Sequence, residues 1–165
     1  MIPYFHHILY ATDLSGDARK ALGYAVSLAD VYGAALTVIH VLEETAPNAE
    51  LLISAFLGYS SRDEMKLKSR DKVIDEVKAR LDAMARDLGC KLPTCRFILS
   101  DILVETGRTE HILVDRIEKG DYDLLVVGRH HYGLIEEKLI GHKTNAALRH
   151  SRIPVLLIPL EENAG

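Results

Sequence analysis

The spacing of apolar residues switches repeatedly along this chain between a period of two and a period near 3.6. That alternation restricts the possible folds more than any other feature of the sequence. Residues 5–11 read as a strand that ends in the polar turn Thr12-Asp13-Leu14-Ser15. Helical spacing follows at Ala18, Ala21, Leu22, Ala25, Leu28, Ala29 and Tyr32, with Ser15 as the expected N-cap and Gly33 as the stop. Residues 34–41 are almost continuously apolar, as in a strand buried on both faces. Residues 43–61 read as a long connection carrying an apolar patch from Leu51 to Leu57, and residues 62–88 as one long helix with a stripe at Val73, Val77, Leu81, Met84 and Leu88. A strand over 93–100, a helix over 109–119 stopped by Gly120, and a strand over 123–127 come next. A loop over 128–140, a short helix over 141–150 and a strand over 154–158 complete the pattern.

Such β-α alternation predicts a parallel sheet with right-handed crossovers and helices on both faces, a three-layer α/β fold. A chain of 165 residues suits one domain built on one core. Ligands of open parallel sheets sit beyond the carboxyl ends of the strands, where strand order reverses. The segments to search are therefore 12–16, 41–44, 100–107 and 128–142.

Composition removes several function classes. With 48% hydrophobic and 27% charged residues the chain is expected to fold, and a net charge of −4 gives no basic footprint for nucleic acid or anionic membrane. Residues 21–42 carry Asp30 as their one formal charge, but the period changes at Gly33, so they read as a helix and a strand, each too short to span a bilayer. Cys90 and Cys95 are expected to be reduced thiols, and residues 1–7 do not read as a secretory leader, which makes the cytoplasm the expected compartment. The chain contains no G-x-S-x-G elbow, no G-x4-G-K-[ST] phosphate loop and no G-x-G-x-x-G fingerprint. His130, His131 and His142 share one loop and face possible convergence with His40, but they lack metal-ligand spacing, so no metal site is expected.

Two stretches carry a family resemblance. HHILYATDLSGDARKALGYAVSLADVYGAALTVIHV and DYDLLVVGRHHYGLIEEKLIGHKTNAALRHSRIPVLLIP resemble the two ends of a universal stress protein. The resemblance implies a nucleotide-alpha-hydrolase-like sheet of five parallel strands in the order 3-2-1-4-5. It also implies a homodimer formed through the last strand, at Val155, Leu156, Leu157 and Ile158. Many members bind ATP through G-x2-G-x9-G-[ST], where glycines admit the phosphates and helix N–H groups hold them. Gly128 and Gly141 match that signature, whereas His131 and His142 replace its second glycine and its hydroxyl residue, with Glu136 and Glu137 between them. Arg129, Lys138, Lys143 and the helix start at Gly141 pull the other way, His142 could itself donate to a phosphate, and His130 is a further candidate of the same site. By the same resemblance Thr12, Asp13 and Val41 line the adenine and ribose end.

The expectation is a regulatory stress-response binding module, not an enzyme, whose altered site takes ATP weakly or not at all and whose partner is an unidentified protein. One alternative is a working switch for ATP, ADP or AMP, with Mg²⁺ entering only alongside nucleotide. The other is a weak metal- or His-assisted nucleotide hydrolase.

Overall fold

The computed structural model describes residues 1–43, 48–130 and 149–160. Strands β1 (His7–Thr12), β2 (Ala35–Leu42), β3 (Ile98–Thr106), β4 (Leu124–His130) and β5 (Val155–Leu160) form one parallel sheet. Their order is β3-β2-β1-β4-β5, as the resemblance implies. Chain direction along the sheet reverses between β1 and β4, which places the crevice at their carboxyl ends.

Side-chain alternation divides the core in two. Ile8, Tyr10, Leu36, Val38, Leu124 and Val126 face α1 (Ala18–Tyr32) and α4 (Arg70–Cys90), while Leu9, Ile39, Val41, Leu125 and Val127 face α5 (Thr109–Lys119). Helix α1 buries Ala18, Ala21, Leu22, Ala25, Val26 and Ala29 along the stripe its spacing predicts. It ends at Gly33, whose φ of 60° lets its N–H reach back to the carbonyls of Ala29 and Asp30.

Four expectations change. The connection over 43–61 contains helix α2 (Ala49–Leu57), which buries Ile53 and Phe56 and stops at Gly58. The single helix over 62–88 is two helices, α3 (Arg62–Lys66) and α4, because the Ser69 hydroxyl accepts the Lys72 N–H and starts a new helix. Lys68, just before that break, donates at 2.7 Å to both Tyr59 Oη and Glu76 Oε1 and so ties the junction to α4. Ser15 is not the cap of α1: the chain makes one further turn through Gly16, and the helix begins after Asp17, with the Ser15 carbonyl accepting the Ala18 N–H at 3.0 Å.

The fourth change concerns β3, which runs over Ile98–Thr106 rather than 93–100. Residues 94–97 are instead wrapped around Asp30 of α1, a carboxylate only 5% exposed. Thr94 Oγ1 donates to it at 2.6 Å, and the Arg96 N–H donates to its other oxygen. Pairing then skips from Leu36↔Leu99 to Thr37↔Asp101, so Ser100 is bulged out and the alternation of β3 slips by one residue. The expected ligand-edge segment 100–107 therefore lies mostly inside a strand, and only Thr106 and Gly107 reach the carboxyl edge.

Candidate functional site at the carboxyl edge of the sheet

Strand β1 delivers Thr12 and Asp13 to the switch point, and the turn that follows is held by its own side chains. Thr12 Oγ1 accepts the Leu14 N–H at 3.1 Å, and Asp13 Oδ1 accepts the Ser15 N–H at 2.9 Å. Leu14 sits at φ 62° with its side chain 2% exposed, so a buried apolar anchor holds the backbone in a region that non-glycine residues seldom adopt. Asp13 is left exposed at the rim. Beneath the turn, Tyr10 Oη donates to the Ala18 carbonyl at 3.0 Å, and burial pushes its phenol well above the ordinary range.

From the neighbouring strand comes His40, the register partner of Thr12 and only 8% exposed. Its Nδ1 lies 2.8 Å from the Thr12 carbonyl oxygen. An acceptor-only partner requires Nδ1 to carry the proton. Burial lowers the pKa of His40, against an opposing pull from the same hydrogen bond and from Asp13. Val41 follows, but its side chain belongs to the α5-facing cluster with Leu9, Ile39 and Val127. Only its backbone reaches the edge.

Gly128 lies within β4, paired with Ile158, not in a loop beginning at 128. It shares a sheet face with Thr12 and His40, by alternation from Val126, Tyr10 and Val38. A Cβ at Gly128 would stand 2.5 Å from Leu160 Cδ1 and 3.7 Å from Ala21 Cβ. A side chain here would have to displace Leu160, which gives the position a packing reason for glycine independent of any phosphate. The backbones of Arg129 and His130 continue the strand, opposite Pro159 and Leu160. The signature positions His131, Gly141, His142 and Lys143, together with Glu136, Glu137, Lys138 and residues 141–148 of the helix expected over 141–150, lie outside the described residues.

A second carboxylate works further along the edge: Glu43 Oε1 accepts the Thr109 N–H at 2.7 Å and caps α5. Among the described residues no group of three His, Cys, Asp or Glu side chains is placed to hold a metal ion. No helix among them is long and apolar enough to cross a membrane.

Two residues of this turn escape motif reading. His40 enters the sequence argument only as a remote partner for loop histidines, yet it is bound to Thr12. Ser15 enters as a cap, yet its buried Oγ has no hydrogen-bond partner among the described residues. A buried orphan hydroxyl destabilises by about 1–3 kcal/mol. Ser15→Ala is therefore expected to raise the thermal midpoint by about 2–12 °C, at about 2–4 °C per kcal/mol for a chain of this length. A fall of several degrees in thermal denaturation would show that the hydroxyl is bonded after all.

The geometry agrees with what this chain is similar to. The model of the Universal stress protein family matches residues 5–159. Universal stress protein A homolog 1 of Coxiella burnetii is 29% identical over 161 residues, which cover 96% of this chain and 99% of that protein. Universal stress protein A of Escherichia coli is 30% identical over 126 residues, 76% of each chain. Among solved structures, UspA from Lactobacillus plantarum superposes with a TM-score of 0.62 at 21% identity, covering 95% of this chain and 99% of that one. An Arabidopsis thaliana family protein with AMP bound gives 0.58 at 12% identity, covering 96% and 94%. The Archaeoglobus fulgidus protein in complex with dAMP gives 0.56 at 17% identity, covering 95% and 99%. With the family model spanning residues 5–159, nearly the whole length, this chain belongs to the universal stress protein family.

Proposed function

We propose that this chain is a regulatory binding module of the stress response that recognises the adenosine end of a nucleotide and gains little from a triphosphate. The observation that carries this reading is the Thr12–Ser15 turn, fixed in the free protein by Leu14, Thr12 Oγ1 and Asp13 Oδ1 beside the β1/β4 crevice. A turn set in advance loses little entropy on binding. Asp13 is the natural acceptor for a ribose hydroxyl or an adenine amine, and the backbone at Val41 forms the facing lip. AMP and dAMP in two family structures support an adenosine-centred site.

At the other end, His131 and His142 occupy positions where the ATP signature has glycine and Ser or Thr, and Glu136 and Glu137 add negative charge. Like charges disfavour a polyphosphate, by about 1 kcal/mol for each close pair in water. Arg129, His130, Lys138, Lys143 and the backbone at Gly128 and Gly141 would then serve a single phosphate, and Mg²⁺ would enter only with ADP or ATP.

The module would act in the cytoplasm as a homodimer. Val155 and Leu157 of β5 are only half-buried on the α5-facing side, and β5 is an edge strand among the described residues. Antiparallel pairing of two such edges would cover them. No nucleophile-elbow or phosphate-loop motif in the sequence motivates catalysis, and the output would pass to a protein partner through nucleotide-dependent shape.

Calorimetric titration of nucleotide-stripped protein with AMP, ADP and ATP, with Mg²⁺ alongside, tests this. AMP is expected to bind at least as tightly as ATP. Asp13→Ala should weaken AMP about tenfold or more, the worth of a hydrogen bond to a charged group. ATP binding more than tenfold tighter than AMP would favour the triphosphate switch. No heat and no thermal stabilisation at millimolar nucleotide would end the adenosine reading.

A further inference from the structure

We propose that His40 is a positioning residue for the adenosine-binding turn: its buried imidazole holds the Thr12 carbonyl and thereby sets the direction in which Asp13 leaves β1. The proposal rests on the adenosine reading for its functional consequence, but its structural half stands alone.

Thr12 is the last residue of β1, and its carbonyl oxygen lies at the edge of the crevice. A backbone carbonyl in a buried position needs a donor. Beside the backbone ladder, a side chain donates to it here: His40 Nδ1–H, on the register partner of Thr12 in β2, at 2.8 Å. The peptide joining Thr12 to Asp13 is thus fixed at its oxygen. The residues that follow are fixed at their nitrogens, through Leu14 N–H to Thr12 Oγ1 and Ser15 N–H to Asp13 Oδ1. Leu14 completes the lock, since its φ of 62° is tolerable only while its side chain stays in the core.

Remove the His40 donor and the Thr12 carbonyl loses its side-chain hydrogen bond to β2, keeping only the backbone pairing at the end of the ladder. The Thr12–Asp13 peptide is then held less firmly, and the strained Leu14 backbone has less to hold it. Asp13 would lose its aim while remaining chemically intact. The imidazole is well suited to this work because it is neutral: burial lowers its pKa, so the donor stays in place without bringing a cation into the core.

The geometry makes a distinction among substitutes. Asparagine carries an amide N–H close to where imidazole Nδ1–H sits, and glutamine carries one nearer the Nε2 position. His40→Asn is therefore expected to keep the turn, whereas His40→Gln and His40→Leu are expected to lose it. Two readouts apply. Native-state hydrogen exchange of the Leu14 and Ser15 amides should be within about twofold of the parent in His40→Asn and faster by about tenfold or more in His40→Gln and His40→Leu. AMP affinity should follow the same order, with a loss of about five- to tenfold in the latter two.

If His40→Leu fails to fold, the comparison of Asn with Gln decides. Equal exchange in the Asn and Gln variants would overturn the proposal, because ring packing rather than the Nδ1 bond would then be at stake. Protected Leu14 and Ser15 amides in His40→Leu would overturn it as well. If the parent protein binds no AMP, the adenosine reading fails, and amide exchange alone decides whether His40 sets the turn. If AMP binds but all three variants bind it equally, the adenosine reading survives and the positioning role does not.

Discussion

Gly128→Val is expected to destabilise the protein by about 3 kcal/mol, a fall in thermal midpoint on the order of 10 °C. Its first added carbon would stand 2.5 Å from Leu160 Cδ1 and 3.2 Å from Leu160 Cγ. Leu160 is 2% exposed, so its side chain must shift within the core to make room, while the contact to Ala21 of α1, at 3.7 Å, is an ordinary one. Overpacking of this kind forces a rotamer change or a backbone shift. The companion variant Leu160→Ala should also destabilise when alone, by about 2–5 kcal/mol, because it opens a cavity. The double variant should be more stable than the sum of the two losses by at least about 1 kcal/mol, since valine refills the space that leucine vacates. Chemical denaturation of the four proteins measures this coupling. If Gly128→Val keeps its stability and loses only nucleotide affinity, the glycine serves the ligand and not the packing.

That distinction bears on how the family signature is read. A glycine at the start of G-x2-G-x9-G-[ST] is readily credited to phosphate approach, and the sequence alone offers no other reason for it. The structure supplies one, because β4 extends to His130 and carries Gly128 into the sheet between α1 and β5. A degenerate signature can therefore retain this glycine whether or not a phosphate ever arrives. His131 and His142, the two replaced signature positions, lie outside the described residues.

The parts of the fold that were legible are those in which local pattern and tertiary environment agree. The stripe of α1, the Gly33 stop and the bounds of α5 follow from spacing and caps within a few residues. What was not legible depends on contacts distant in sequence. The start of β3 is set by Asp30 capturing Thr94 and Arg96, more than sixty residues away, and its alternation is broken by the bulge at Ser100. At the site, Thr12 and Asp13 could be named from their position after the first strand. Nothing local marks Leu14 as left-handed, because that signal is normally glycine or asparagine. The tie from His40 to Thr12 spans 28 residues and exists only once β1 and β2 are paired in register.

Asp30→Ala is expected to lower the thermal midpoint on the order of 5 °C near neutral pH, with the loss disappearing in acid. The carboxylate is the shared acceptor for the Thr94 hydroxyl and the Arg96 N–H, and without it both are left to find water in a crowded turn. Cys95 between them sits at φ 45°, a conformation that non-glycine residues seldom adopt. The bond from Thr94, then that from the Arg96 backbone, holds the Asp30 pKa below the usual carboxylate value near 3.8, against the opposing effect of burial. A depressed folded-state pKa means that the unfolded chain takes up the proton first as pH falls. Asp30 therefore contributes fully above about pH 5 and progressively less as pH falls past 3.8 and through its folded value. Thermal midpoints of the parent and Asp30→Ala, measured from pH 7 to pH 3, should converge toward the acid end. Curves that stay parallel over that range would mean that the side chain stabilises by packing, and that its charge does not hold the turn. Convergence would identify the Asp30 clamp as what bends the chain from α4 into β3, and so fixes where that strand reaches the carboxyl edge.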